Sequence, residues 1–276
     1  MKYFLVPIAL ILGLLSAQAQ EKDSSKMFFV KKFYLKKQAK AIANSKKFDT
    51  YRVSGLGLGY AAVQDTRMAL PVYDGRSVGG NLCWKEFSEK WYNEINFEFA
   101  YTNPSFEGGS YMSYNNFRIL SNLSYLRKLN EKKIYIGAGI HFVDGLRTYS
   151  YLGNSSFNND LIVSINPELR YQSVFSVFKK QFNFYSGVAI NGFSYVNRTP
   201  AFSISLDGAN NYFAPIGQFN RVRMATGIHW RKRFSQENRM GFEYSWDFYS
   251  LNENDGHVKL RSAQHLISLN FWFKTR

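Results

Sequence analysis

The stretch SAQHLISLNFWFK (Ser262–Lys274) decides the fold. Ile267, Leu269, Phe271 and Phe273 recur at every second position, Ser268 and Asn270 occupy the alternate positions, and Gln264 and Leu266 precede them. A period of two places the apolar set on one face of an extended chain, whereas a helix would scatter it around the axis. The stretch is a strand with one apolar face and one polar face.

An alternating strand that finishes in aromatics resembles the terminal strand of Gram-negative outer-membrane β-barrels, which pairs with the first strand and closes the wall. In that family the aromatic is the final residue. Here Lys274, Thr275 and Arg276 follow Phe273. The resemblance implies a closed barrel in the outer membrane.

The opposite end of the chain fits export. Lys2 precedes an apolar run from Tyr3 to Leu15, and Ser16-Ala17-Gln18-Ala19 has the small-x-small form of a signal-peptidase site, so residues 1–19 are expected to be a signal peptide cleaved after Ala19. No cysteine follows the cleavage point, which excludes a lipid-anchored N-terminus, and the run is shorter than the roughly 20 apolar residues of a membrane helix. Cys83 is the sole cysteine, so no intramolecular disulfide can form. Aromatic residues make up 18% of the chain and the mean hydropathy is −0.31. That combination suits a membrane barrel with a polar inner face better than a soluble core.

The formal net charge is +15, and loss of the leader, which holds Lys2 and no acid, leaves +14. In this compartment the anions at hand are lipid phosphates, so outer-membrane lipids are the expected partners and nucleic acid is not. Residues 20–49 form a basic periplasmic segment in which Lys26, Lys31, Lys32, Lys36, Lys37, Lys40, Lys46 and Lys47 occur without an acid between 24 and 48. It reads either as a short helix on the anionic inner leaflet or as a solvated leader, since Phe28, Phe29, Val30, Phe33, Tyr34 and Leu35 do not share one helical face.

From residue 50 to 276 one theme repeats. Alternating segments are expected as strands near 51–62, 76–88, 91–102, 113–127, 133–144, 160–173, 181–195, 218–232, 239–250 and 262–274. Short connections near 89–90, 128–132, 174–180 and 233–238 interleave with longer ones near 63–75, 103–112, 145–159, 196–217 and 251–261. The reading is an all-β, antiparallel transmembrane β-barrel of about ten strands, with short periplasmic turns and longer external loops. A soluble sandwich or lipocalin-like barrel alternates too, but its apolar side chains fill an inner core. Here they include Ile95, Phe97, Phe99 and Tyr101 in one strand, and Phe242, Tyr244, Trp246 and Phe248 in another, with Trp84, Trp91, Trp230, Trp246 and Trp272 mostly near strand ends. The layout over 50–276 is similar to outer-membrane barrel families without an assigned activity.

Facing the polar positions inward defines the candidate site. Glu94, Glu98, Glu168, Glu243 and Asp247 then share the lumen with Lys85, Arg118, Arg170, Arg221, Arg223 and Arg231, with His141 and His229 among them. Unpaired ions in a narrow, poorly hydrated space cost several kcal/mol each, so pairing is expected. Arg221 and Arg223 are the expected partners of Glu243 and Asp247. The resulting reading is a non-enzymatic structural or binding barrel with a largely plugged lumen. The alternatives are a hydrolase acting on lipid or peptide at the external rim, and a narrow anion-preferring channel.

Glycines in Gly55-Leu56-Gly57-Leu58-Gly59 and Gly137-Ala138-Gly139 precede no helix and so cradle no phosphate. They are expected to make room inside for neighbours such as Tyr135 and Arg223. Outer-membrane phospholipases and lipid A deacylases resemble one another in carrying a His and a Ser two apart on a strand face, and His141, His229, His257 and His265 all lack such a serine. Ten strands also resemble the outer-membrane aspartyl-type proteases, whose rim acids find only an echo in Asp65, Asp160 and Asp255 and in His141 with Asp144, which an odd spacing puts on opposite faces. No metal spacing occurs among the scattered histidines, and no cofactor is expected. Tyr73, Tyr111, Tyr149, Tyr151, Tyr212 and Phe213 in the external loops suit a glycan or protein ligand, or a lid. A monomer is expected.

Overall fold

The computed structural model describes residues 49–66, 72–103, 112–129, 133–151, 154–178, 180–198, 210–231, 237–253 and 258–275. These belong to one compact unit, Lys47–Arg276. The expected signal peptide and all but the last residue of the basic segment lie outside the described residues.

Twelve strand segments follow in chain order: β1 (Asp49–Asp65), β2 (Tyr73–Phe87), β3 (Trp91–Thr102), β4 (Met112–Lys128), β5 (Ile134–Tyr151), β6 (Asn154–Val177), β7 (Lys180–Ile190), β8 (Phe193–Arg198), β9 (Asn210–Ala214), β10 (Phe219–Arg231), β11 (Arg239–Glu253) and β12 (Val258–Lys274). Ten of them form a closed antiparallel ring in the order β1 to β7, β10, β11, β12 and back to β1. Ser262–Lys274 lies in the closing stave, β12, which pairs with β1 from Tyr51↔Lys274 to Asp65↔Leu260. Closure leaves the ring no free edge, which a bilayer demands because its interior offers no water to an unpaired N–H or C=O.

The side chains divide by parity as expected. Ile267, Phe271 and Phe273 of β12 lie outside, while Ser268, Asn270 and Trp272 are buried inside. On β3, Ile95, Phe97, Phe99 and Tyr101 are exposed on the outer face, and on β1 Leu56 and Leu58 are 75% and 71% exposed. A contiguous apolar exterior of this extent is stable only against lipid, so the chain has the architecture of an outer-membrane-type barrel. Trp272 departs from the expected aromatic belt: it shares the inward parity of Ser268 and Asn270 and is 1% exposed.

Several strands run a few residues beyond the expected ends, and two places differ most. The supposed external loop at 145–159 is a tall hairpin, because β5 has 18 residues and β6 has 24, well beyond the roughly 9–11 that cross a bilayer. The single strand expected over 181–195 is broken at Asn191 and Gly192. Asn191 ends the ladder to β10, its N–H donating to the Arg221 carbonyl at 2.8 Å, its Nδ2 donating to the Phe219 carbonyl at 3.0 Å and its Oδ1 accepting from Ser194 Oγ at 2.6 Å. Opposite this break, Pro215–Gln218 separates β9 from β10, and Gly217 takes a left-handed φ of 103°. β8 thus continues β7 along the external part of β6, and β9 pairs with β8. Two adjacent staves are interrupted side by side.

At the end carrying Asp49, Lys274 and the short turns, the periplasmic end of such a barrel, the β2–β3 turn is held by Ser88. Its Oγ accepts from the backbone N–H of Trp91 at 2.9 Å, the local pattern that favours serine in turns. The inward glycines do make room, for different neighbours from those expected. A Cβ on Gly227 would meet the Tyr185 ring, one on Gly139 the Glu168 carboxylate, and one on Gly55 the Asn270 amide.

Candidate functional site in the lumen

The inward polar residues meet as connected ion networks. On the external side, Arg198 of β8 reaches three carboxylates: Nε donates to Asp160 at 2.7 Å, Nη1 to Glu253 at 2.7 Å and Nη2 to Asp65 at 2.8 Å. Arg147 pairs with Asp160 and lies 3.4 Å from Asp65, while Asn158 donates to Asp65 at 2.8 Å and Tyr212 to Glu253 at 2.6 Å. Both arginines are fully buried. Sequence reasoning missed this cluster by ending the strands too early; the signal was parity, since Arg147 has the register of His141, and Asn158 and Asp160 that of Ser164.

Beneath it, Val63, Leu120, Val143, Ile162, Phe219, Leu251 and other apolar residues from across the ring form one buried cluster. On β5 Val143 stands between Arg147 and His141, and on β11 Tyr249 and Leu251 stand between Glu253 and Asp247. The apolar cluster thus lies between two charged levels.

The second network centres on Asp247. Arg221 of β10 binds it in a fork, Nε to Oδ1 at 2.9 Å and Nη2 to Oδ2 at 2.7 Å, and Arg118 of β4 donates from across the lumen at 2.5 Å. Arg221 Nη1 lies 3.3 Å from His141 Nδ1, and His141 Nε2 lies 2.6 Å from Glu168. Arg223 takes neither Glu243 nor Asp247, the two acids expected for it and Arg221; it crosses the lumen to Glu98 at 2.9 Å, because a long guanidinium stem reaches the far wall of so narrow a barrel.

A third network lies nearer the periplasm. Arg170 Nη1 is 2.9 Å from Glu94, and Lys85 Nζ is 3.6 Å from Glu94 and 3.9 Å from Glu243. Tyr92 donates to Glu94 and Tyr185 to Glu243. Arg170 stacks over the rings of Tyr92 and Tyr185 at 4.1 and 4.7 Å, and Lys85 over Tyr185 and Trp272 at 5.0 and 4.8 Å. The two tyrosines were not foreseen as members. Together these two networks hold five acids (Glu94, Glu98, Glu168, Glu243, Asp247) and five permanent cations (Lys85, Arg118, Arg170, Arg221, Arg223), so they are neutral with His141 uncharged.

Two expected members stand apart. His229 is buried but touches no carboxylate; its ring stacks on Trp272 at a centroid distance of 4.2 Å. Arg231 is exposed at the end of β10, where strand parity no longer implies burial.

Ser124 and His141 are not arranged for nucleophilic attack. Ser124 Oγ donates to Glu168 at 3.0 Å, and His141 meets the same carboxylate. Activation of a serine needs the imidazole next to the hydroxyl with the acid behind it; here the acid sits between them. His141 is inside and Asp144 has the opposite parity, so they form no pair. Among the described residues no group of three or more metal-ligating side chains converges. A cavity of about 60 Å³ opens among Lys85, Glu94, Ser124, His141, Glu168 and Glu243, enough for about four waters at roughly 15 Å³ each.

No protein-family model matches the chain, and no curated protein sequence matches it. Among solved structures it is similar to the outer membrane protease OmpT from Escherichia coli (10% identity, 82% of this chain and 96% of that one, TM-score 0.48). It is likewise similar to the translocator domain of the autotransporter NalP from Neisseria meningitidis (8%, 90% and 97%, 0.42) and to the attachment invasion locus protein Ail of Yersinia pestis (12%, 82% and 99%, 0.36). None of these likenesses assigns a functional residue to this chain; what is shared is barrel architecture.

Proposed function

We propose that this protein is a non-conducting outer-membrane barrel, a monomeric scaffold whose filled lumen rigidifies the wall and whose two ends carry the binding surfaces. One observation carries this reading: Leu120, Val143, Ile162, Phe219, Leu251 and Leu260, from six different staves, are each at most 2% exposed within the lumen. Ions do not cross a continuous apolar layer, and the charges on either side of it are matched by fixed partners, so an ion would have to break pairs costing about 3–5 kcal/mol each. Outer-membrane lipids are the partners of the wall, and the tall β5–β6 hairpin presents an external surface to a glycan or protein. The test is single-channel recording on the mature protein in planar bilayers. Silence at 100 mV is expected, whereas steady unitary conductance with anion preference would replace this reading by the channel.

A further inference from the structure

A second cavity, of about 100 Å³, lies at the periplasmic mouth. Its walls include the rings of Tyr51, Phe87 and Trp272 and the cationic or donor groups of Arg170, Arg239 and His229. Arg170 and Tyr185 line both this cavity and the inner one, so together they form the floor of the vestibule.

The donors here are not used up. Arg170 and His229 are more than nine-tenths buried, yet Arg170 Nε and Nη2 and His229 Nδ1 have no hydrogen-bond partner. Arg239 forms no ion pair among the described residues; Nη2 donates to the Tyr51 hydroxyl at 2.7 Å and the guanidinium stacks on the Tyr51 ring at 4.7 Å. Asp49 also lines the cavity, but its carboxylate is held by Lys274 at 3.1 Å. Arg231 and Arg239 are also direct cross-strand partners, and like charges placed opposite one another are destabilising. Arg170 is matched by Glu94 on its inner side, as the other lumen arginines are by their acids, but Arg239 has no carboxylate among the described residues, and buried donors without acceptors call for a partner that supplies them.

We propose that the periplasmic vestibule is a binding site for an organic carboxylate with a ring or apolar body. The carboxylate would sit on the Arg239 fork, whose geometry matches two oxygens, with the open donors of Arg170 and His229 deeper in. The body would pack against Tyr51, Phe87 and Trp272. This site goes beyond the scaffold reading and does not depend on whether the lumen conducts.

The experiment is isothermal titration of the mature barrel in detergent micelles, free of lipid, with benzoate, its neutral counterpart benzamide, and inorganic phosphate. Saturable binding of benzoate is expected, with benzamide and phosphate each at least tenfold weaker. Arg239→Gln should weaken benzoate at least tenfold, Arg239→Lys should fall between it and the parent, and Arg127→Gln on the outer face should change nothing. A gel shift on heating verifies that each variant is folded, and Arg239→Lys stands in if Arg239→Gln is not. No saturable benzoate binding, equal binding of benzamide, tighter binding of phosphate, or parental affinity in the folded Arg239 variant would each overturn the proposal.

Discussion

Neutralising Asp247 is the most informative single perturbation of the interior. It is 4% exposed and carries two arginines, Arg118 at 2.5 Å and Arg221 in a fork at 2.7 and 2.9 Å, which are 4% and 2% exposed. Asp247→Asn keeps the shape and one acceptor oxygen but removes the charge. Arg118 is then left with the Gln264 amide oxygen at 3.3 Å, and Arg221 with His141 Nδ1 at 3.3 Å. Breaking one buried ion pair costs about 3–5 kcal/mol, and this change strands two cations, so a loss toward the upper end of that range is expected. Replacing the whole group, Asp247→Leu with Arg118→Met and Arg221→Met, removes the stranded charges together and should recover most of the loss, since buried ion clusters swapped for apolar groups of similar volume are often neutral or better. Asp247→Asn and Arg221→Met should therefore couple by about 0.5–3 kcal/mol rather than add. Urea unfolding in lipid vesicles, followed by tryptophan emission, reads the parent and all four variants. A loss below about 1 kcal/mol for Asp247→Asn, with strict additivity, would refute the reasoning and mean that these groups are separately hydrated.

Three further outcomes follow from the same geometry. Phe97→Arg or Phe242→Arg, at outward positions 47% and 50% exposed to the lipid side, should each cost roughly 2–4 kcal/mol if placed at the bilayer midplane, read as a lower urea midpoint in vesicles. Gly227→Ala drives a methyl into the Tyr185 ring, which is held by Glu243 and packed beside Lys85, so about 1–3 kcal/mol should be lost; Tyr185→Leu in the same chain should restore part of it, and a purely additive pair would show that Tyr185 moves freely. Cys83, buried inside at 2% exposure, should resist maleimide labelling in the folded barrel and label quickly after boiling in detergent, which gel mobility reports directly.

The barrel was legible because its code is local. Parity along 91–102, 239–250 and 262–274 places Phe97, Phe242 and Phe271 outside and Glu98, Glu243 and Asn270 inside without reference to any other strand. Pairing is not local, and there the reading strayed. Glu98 and Arg223 are 125 residues apart and meet across the lumen, while Arg223 and Asp247, neighbours in register, do not form the bond that adjacency suggests. The external cluster was hidden for another reason. Arg147, Asn158 and Asp160 are polar, and polar residues beyond a membrane-length strand read as loop; only their convergence on Arg198 and Asp65 makes it possible to bury them. The break at Asn191–Gly192 also escaped, because its partner interruption at Pro215–Gln218 is distant in sequence and adjacent only in the folded wall.

The seam between β1 and β12 sets the order of assembly. Every other neighbouring pair of staves, apart from β7 with β10, is joined by a short connection or a modest loop, so these hairpins can form early at small entropic cost. The seam joins Tyr51 to Lys274 and Asp65 to Leu260, and nothing short of the whole intervening chain brings them together. It is the contact of highest sequence separation, and such contacts set the pace of folding. Until it forms, both β1 and β12 present a full edge of unpaired N–H and C=O groups with one apolar flank. The half-built sheet is therefore a species prone to pairing with other chains, and the step most in need of protection is the final closure rather than the crossing of any single strand.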